Sequence, residues 1–400
     1  MKKFSLILLL LELNLASIYA NDSRNFMERA LKFSGADSSL IASYLEKVDS
    51  ITENYLECMN GKKSRIIAEE TLLFMYDNCL RTYMSSQTRM DVLLDSRKYN
   101  CVSSSLLYMY FMKIAHVPCV EIQTKEHAFC EVFIDDRWIR VETTNPYGFE
   151  PGTKKEKKNG YYNVPARNYA NPKRIDDNHA LSLILRNRIA QTSRKNPLEA
   201  FELAVECHEL CGGDEESSGV LQAAITNAIG IIDGRGNTDE AISFGRKCHE
   251  KYRLGKEARQ NYDSAVMRKV MGLNRTMQFD LALEFIEKES DIFTAENVAS
   301  AKSATIQNKA YWIYDNEGFD SAMSLLNEQK VISQAEFSRI KADICKSESI
   351  RYHNESVPFM NKKDYETALK IIEEGLKKIP DSQILLRDKS NLIRQVLQKS

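Results

Sequence analysis

Cys101 follows Tyr99 and Asn100 and opens the stretch CVSSSLLYMYFMKIA, whose pattern predicts a helix. Asn100 suits an N-cap position, so the thiol falls in the first helical turn, where unpaired backbone N–H groups and the helix dipole favour negative charge. A thiol so placed is expected to ionise more readily and to be the better nucleophile. The same N–H groups can receive the oxyanion formed when a carbonyl is attacked. His127 opens HAFCEVFI, a run of period two that puts Ala128, Cys130, Val132 and Ile134 on one strand face and His127, Phe129, Glu131 and Phe133 on the other. The small, apolar face is the core side, so His127 is expected to point away from the bulk of the core and to reach a thiol as general base. Glu142 ends a third run, WIRVE. If Asp135-Asp136 closes a two-residue hairpin, Ile134 pairs with Arg137 and Glu142 lands on the His127 face, within reach of long side chains. A slip of one residue would send it to the opposite face. In the first register Glu142 holds the imidazole tautomer and stabilises the imidazolium, and the three residues are candidates for nucleophilic catalysis at a carbonyl.

These residues need a helix packed on a sheet. From Asn21 to about Ser96 the chain is helix-rich, with apolar residues at three- and four-residue spacing in runs such as IIAEETLLFMYDNCLRTYM. After the helix that begins at Cys101, the period changes to two in CVEIQT, HAFCEVFI and WIRVE, with Lys125-Glu126 and Asp135-Asp136-Arg137 as turn residues. An antiparallel meander on the preceding helix follows. Pro146, Pro151, Pro165 and Pro172, with the basic run KKEKK between them, mark a long loop that closes this domain. The lysines read as a solvated charged loop.

The order NCVSS at 100–104, HAFCEV at 127–132 and WIRVE at 138–142 resembles the transglutaminase-like cysteine hydrolase superfamily. The resemblance covers roughly residues 60–170 and extends to the spacing, since the acid follows the histidine by 15 residues. It implies a papain-like arrangement, in which a helix carrying the nucleophile packs on an antiparallel sheet carrying histidine and acid. VETTNPYGFEPG and YYNVPARNY also resemble a loop signature of exported transglutaminase-like proteins with helical repeats. Two positions depart from the family: Glu142 stands where the usual acid is Asp, and Tyr99-Asn100 replaces a Gly-rich approach to the nucleophile.

From about residue 180 onward the sequence is helical and weakly repetitive. Ala200, Ala241, Ala282, Ala322 and Ala368 are spaced 41, 41, 40 and 46 apart, and Phe279, Phe319 and Tyr365 each precede their Ala by three residues. The pattern resembles the second helix of a tetratricopeptide repeat, in which a small Ala lets the paired helix approach closely. The period exceeds the usual length of about 34, so the array is tetratricopeptide-like.

Lys2 and Lys3, the apolar run Phe4–Leu11 and Ala20 read as a signal peptide over residues 1–20, which implies a periplasmic or secreted protein. That run is much shorter than the roughly 20 residues a membrane-spanning helix needs, and no stable membrane span is expected. A net charge of -1 gives no general electrostatic attraction to nucleic acid. The nine cysteines are scattered, unlike a disulfide-rich scaffold, and most are expected as small buried residues. Cys207, His208, Cys211, Cys248 and His249 suggest a metal site on spacing alone, but Cys207 and Cys248 each follow a repeat Ala by seven residues, as core positions would. No Gly-rich phosphate loop is present, and neither metal nor organic cofactor is called for.

The sequence therefore predicts an α+β chain: a papain-like, transglutaminase-like domain over 21–175, followed by an all-α tetratricopeptide-like solenoid over 180–400. The expected activity is acyl transfer or hydrolysis at amide or peptide bonds of a peptide or protein substrate through Cys101, His127 and Glu142. Water as second nucleophile makes a peptidase or amidase, and an amine makes a transglutaminase. The other reading is a catalytically inactive scaffold whose helical repeats bind a protein partner.

Overall fold

A computed structural model describes residues 21–151 and 164–399; the expected signal peptide and the KKEKK run lie outside the described residues. The described chain is mostly helical with a small antiparallel sheet, a mixed α and β fold, and it divides into two compact units at Ile231–Ile232.

In the first unit, helices α1 (21–33), α2 (Ile41–Met59) and α3 (Ser64–Asn78) precede α4 (Met90–Ser96) and a two-residue parallel ladder between β1 (Thr82–Tyr83) and β2 (Lys98–Tyr99). Helix α5 (Cys101–Ile114) is buried on all sides from Val102 to Met112, as a helix without a polar face must be. One side packs on α3, where the Tyr108 hydroxyl donates to the Ala68 carbonyl at 2.9 Å, and Phe111 meets Tyr55 and Phe74 at ring separations of 4.5 and 5.5 Å. The other side packs on the sheet β3 (Cys119–Gln123), β4 (Ala128–Ile134), β5 (Arg137–Val141) and β6 (Lys173–Ile175).

The strand order is β5-β4-β3-β6, antiparallel throughout. The meander has the expected register, with Ile134 opposite Arg137, because Asp135 and Asp136 both adopt positive φ, 54° and 60°, as a type I′ turn requires. The fourth strand, β6, was not expected: it is three residues long, follows Pro172 directly, pairs Ile175 with Glu121 and completes the sheet. Helices α6 (Asp177–Thr192), α7 (Pro197–Leu210) and most of α8 (Glu215–Gly234) belong to the same unit.

The second unit alternates short and long helices: α9 (Thr238–Tyr252), α10 (Lys256–Arg275), α11 (Phe279–Glu289), α12 (Ala295–Glu317), α13 (Phe319–Glu328), α14 (Gln334–Asn361), α15 (Tyr365–Lys378) and α16 (Gln383–Lys399). The periodic alanines Ala241, Ala282, Ala322 and Ala368 each occupy the fourth position of a short helix and are fully buried. Without a longer side chain there, the neighbouring long helix can approach closely. The turns into these helices repeat as well: the N–H groups of Asn237, Gln278, Gly318 and Asp364 donate to the carbonyls of Ile232, Leu273, Ile313 and Phe359, and each turn contains a residue of positive φ, Gly236, Met277, Gly318 and Lys363. Ala200 holds the same position in α7 of the first unit and is equally buried. Among the described residues no helix is long and apolar enough to cross a membrane.

Candidate functional site

The nucleophile candidate is fixed by its cap. Asn100 lies in extended backbone at φ -129°, its side chain accepts from Ser103 N–H at 3.0 Å, and the Ser103 hydroxyl accepts from Asn100 N–H at 3.0 Å. This reciprocal box stabilises a helix start by about 1 kcal/mol and makes Cys101 the first helical residue. Among the described residues the N–H groups of Cys101 and Val102 have no protein acceptor, as expected for the first helical turn. Cys101 is partly exposed, whereas the rest of the turn is buried.

His127 stands one residue before β4, in the tight turn that joins it to β3. Its N–H donates to the Thr124 hydroxyl at 3.0 Å, and its carbonyl accepts from Thr124 N–H at 2.9 Å. Glu142 stands one residue beyond β5, across from the start of β4. The two side chains meet directly, His127 Nε2 lying 2.8 Å from Glu142 Oε2. With Nε2 so engaged, Nδ1 is the nitrogen left for Cys101, which lies near enough to help hold the imidazole charged. The three residues expected from the sequence are thus brought together, with the imidazole between thiol and carboxylate.

Both ionisable partners are about 5% exposed, and their charge states follow from competing effects. Burial works against a charged imidazole, but hydrogen bonds to Cys101 and Glu142, with the charges of both, outweigh it and bring His127 up to about 9. Burial likewise disfavours the Glu142 carboxylate. It is overcome by hydrogen bonding to His127 and the imidazolium charge, then by Thr144 and Tyr169, and Glu142 titrates below its usual range. The carboxylate accepts four bonds: His127 Nε2 and the Tyr169 hydroxyl, at 2.7 Å, on Oε2, and Thr144 N–H at 3.0 Å and hydroxyl at 2.7 Å on Oε1. A buried carboxylate so fully satisfied can remain charged.

Several positioning residues were not singled out in the sequence, although some fall in the VETTNPYGFEPG and YYNVPARNY runs. The Thr143 hydroxyl lies 2.9 Å from Ser104 Oγ and 3.0 Å from Ser105 Oγ, so the strand end that carries Glu142 is tied to the helix that carries Cys101. The Tyr76 hydroxyl donates to the Thr143 carbonyl at 3.2 Å. Gly148 accepts at its carbonyl from Glu142 N–H at 2.8 Å, and a Cβ at Gly148 would lie 2.0 Å from the Glu142 carbonyl oxygen. Only glycine permits that approach.

Tyr169 ends a short 3-10 turn, Ala166–Tyr169, that covers the second face of the sheet. Its ring sits edge-on to His127 at 5.6 Å and to Phe129 at 5.4 Å, and Arg140 lies over both Phe129 and Tyr169. The Thr124 hydroxyl reaches the Asn168 carbonyl at 2.6 Å and fastens this turn to the hairpin. The cover explains a difference from expectation: His127 was expected to point away from the core, yet it is buried, because the turn closes over that face.

A second buried acid is of another kind. Glu121 pairs across the sheet with Cys130, whose thiol donates to the Ser105 carbonyl on the α5 side. Neither Glu121 carboxyl oxygen has a partner among the described residues. Burial above all, with Cys130, Cys101 and Asp177 nearby, pushes it well above the usual carboxylate range. Cys207, Cys211 and Cys248 are buried in helix packing, and the Cys207 thiol faces Arg186.

The arrangement can move a proton between a thiol and an imidazole whose charged form is supported by a satisfied carboxylate. In comparison with known proteins, no family model matches this chain and no curated protein matches its sequence.

Proposed function

We propose that this chain is an exported thiol enzyme of the transglutaminase-like type, acting on amide or peptide bonds, with a papain-like first domain and a tetratricopeptide-like array for docking a substrate or partner. The observation that carries the reading is the placement of His127 between the Cys101 thiol and the Glu142 carboxylate. In the first step the proton of the thiol–imidazole pair rests on His127, Cys101 Sγ bonds to the carbonyl carbon, and the carbonyl π electrons move to its oxygen. The oxyanion is received by the Cys101 and Val102 N–H groups. His127 then returns its proton to the leaving amine, the C–N bond breaks, and a thioester remains. Water or a second amine, deprotonated by His127, attacks the thioester and releases acid or new amide. Glu142 keeps the imidazole oriented throughout and stays ionised.

The test is trapping. The mature chain treated with a peptidyl chloromethyl ketone should be alkylated at Cys101 far faster than at its other eight cysteines, and His127→Ala should abolish the preference. Uniform slow labelling of the accessible cysteines would instead leave the inactive scaffold as the function. Export is checked separately by the mass of the native protein, which should start near Asn21.

A further inference from the structure

In the second unit α10 and α12 leave a groove of about 760 Å³ that the repeat packing does not fill. At one end stands Asp263, only 7% exposed. Its Oδ2 accepts from Asn297 Nδ2 at 2.9 Å, while its Oδ1 has no partner among the described residues. A buried carboxylate oxygen without a donor is costly, and the residue that carries it lines an open groove. At the other end Arg275 is exposed and makes no ion pair among the described residues. Arg268, between them, is already neutralised by Asp233 at 3.2 Å. The stretch between the two charged ends is lined by Met267 and Met271, flexible apolar side chains that accommodate varied partners.

Gly272 completes the site. It lies in α10 beside the groove, and a Cβ there would meet nothing within 4 Å, so no protein packing requires a glycine. A glycine in a helix interior costs roughly 0.5–1 kcal/mol relative to alanine, and one common use is to let another backbone come close.

We infer that this groove binds a short extended peptide segment with a cationic group at the Asp263 end, an acidic group at the Arg275 end and apolar side chains between. Asp263 and Arg275 are twelve residues apart on one helix, about 18 Å at 1.5 Å per residue. An extended chain covers that distance in about five or six residues at roughly 3.3 Å each. The ammonium or guanidinium pairs with the Asp263 carboxylate, one of whose oxygens has no other donor, and the acid pairs with Arg275. This inference gives chemistry to the docking role proposed for the array and is independent of the thiol reaction.

The experiment uses the full chain and a fluorescent, end-blocked hexapeptide, Lys-Gly-Leu-Leu-Gly-Glu, followed by anisotropy. The same peptide with Glu in place of Lys is expected to bind at least about tenfold more weakly, since a charged hydrogen bond is lost and a like charge is brought to Asp263. Asp263→Asn should weaken the lysine peptide by a similar factor. Gly272→Leu should block it altogether without loss of thermal stability, because the new side chain meets only open groove. Absence of binding, equal binding of the two peptides, or full binding to Gly272→Leu overturns the inference. Chloromethyl ketone labelling of Cys101 in the same preparations reports the thiol site separately, so failure of the groove and failure of the enzyme reading are told apart.

Discussion

Each unit buries a carboxylate, and the difference lies in its partners. In the second unit Glu289, 2% exposed, accepts from the Tyr262 hydroxyl and from Arg246 Nη2 at 2.8 Å. Arginine does not lose its proton near neutral pH, so this pair ties α9 to α11 and has one state. In the first unit Glu142 has a tyrosine hydroxyl as well, but histidine takes the place of arginine and a thiol stands on the far side of the ring. The same kind of buried acid becomes part of a proton-moving device when its cation can titrate. Stability alone is served as well by the arginine version, so the histidine version points to chemistry.

The largest effect should come from breaking each pair in turn. Glu142→Gln is expected to lower turnover of a peptidyl anilide by roughly a thousandfold or more, because the neutral amide can favour the wrong imidazole tautomer. Arg246→Met should leave turnover unchanged yet destabilise the chain by on the order of 2–3 kcal/mol, less than for a fully desolvated pair because the guanidinium keeps some solvent. Kinetics and thermal unfolding on both variants check this. Equal losses of activity from the two substitutions would erase the distinction between the acids.

The pH dependence sharpens the same contrast. His127 titrates at about 9 in the folded chain against 6.5 as the ordinary value, so the folded state holds a proton that the unfolded state has released. Its contribution to stability is therefore complete below about 6.5 and is lost as pH rises through about 9, on the order of 3 kcal/mol at 1.36 per unit. Glu142 has the opposite sign: its depressed value adds stability above the ordinary carboxylate range, lost as pH falls through the folded value. Turnover should decline above about 9, where the imidazolium that protonates the leaving amine disappears. Denaturant midpoints and rates over pH 5–10 are the measurement, and a pH-independent stability between 7 and 9 would contradict the assignment.

Three substitutions by one methyl group or more test how tightly each region is built. Gly148→Ala must displace something, since the added carbon would sit 2.0 Å from the Glu142 carbonyl oxygen. Turnover is expected to fall by about 10–100-fold as the acid shifts by a fraction of an ångström to an ångström. Gly212→Ala, also in the first unit, meets open space and should leave turnover unchanged, at a backbone cost on the order of 1 kcal/mol for its φ of +66°. In the second unit Ala282→Leu should overpack the contact of α11 with its neighbours and cost about 1–3 kcal/mol with turnover intact. An unchanged melting temperature would make the periodic alanines coincidental.

What was legible in the sequence follows the same division. The helical repeats show through because one small residue recurs at nearly constant spacing, and the burial of Ala241, Ala282, Ala322 and Ala368 is the physical reason for the recurrence. The hairpin register was legible because two turn aspartates can both take positive φ, and that register carries Glu142 toward His127. Hydroxyl networks have no period. Thr143 meets Ser104 and Ser105 only because the strand end folds back on α5, and in sequence they are an ordinary loop threonine and two helix serines. Tyr169 ends the YYNVPARNY run, but its partner was hidden for another reason: it is 27 residues beyond the acid it touches, past a proline-containing loop whose path no local rule specifies. Gly148 left a partial signal, since Asn145-Pro146-Tyr147-Gly148 reads as a turn, but the requirement for glycine comes from the Glu142 backbone against it.

The smallest loss of turnover among the site residues is expected at Tyr169, and it separates a residue that tunes the acid from one that merely covers it. Its hydroxyl donates to Glu142 Oε2, the oxygen that also receives His127 Nε2. Tyr169→Phe removes that donor and keeps the ring, so the edge contacts with His127 and Phe129 and the Arg140 stack remain. Glu142 retains three of its four bonds, and the stability loss should be only about 1–2 kcal/mol. Turnover should drop a few-fold. The informative reading is the falling limb near pH 9: a carboxylate oxygen with one donor fewer pulls harder on the imidazolium, so the limb should move to higher pH. Glu142→Gln removes the negative charge and should move it lower. Opposite displacements from two substitutions on the same hydrogen bond cannot arise from packing, whereas a limb that stays in place in Tyr169→Phe would reduce Tyr169 to a cover over the imidazole.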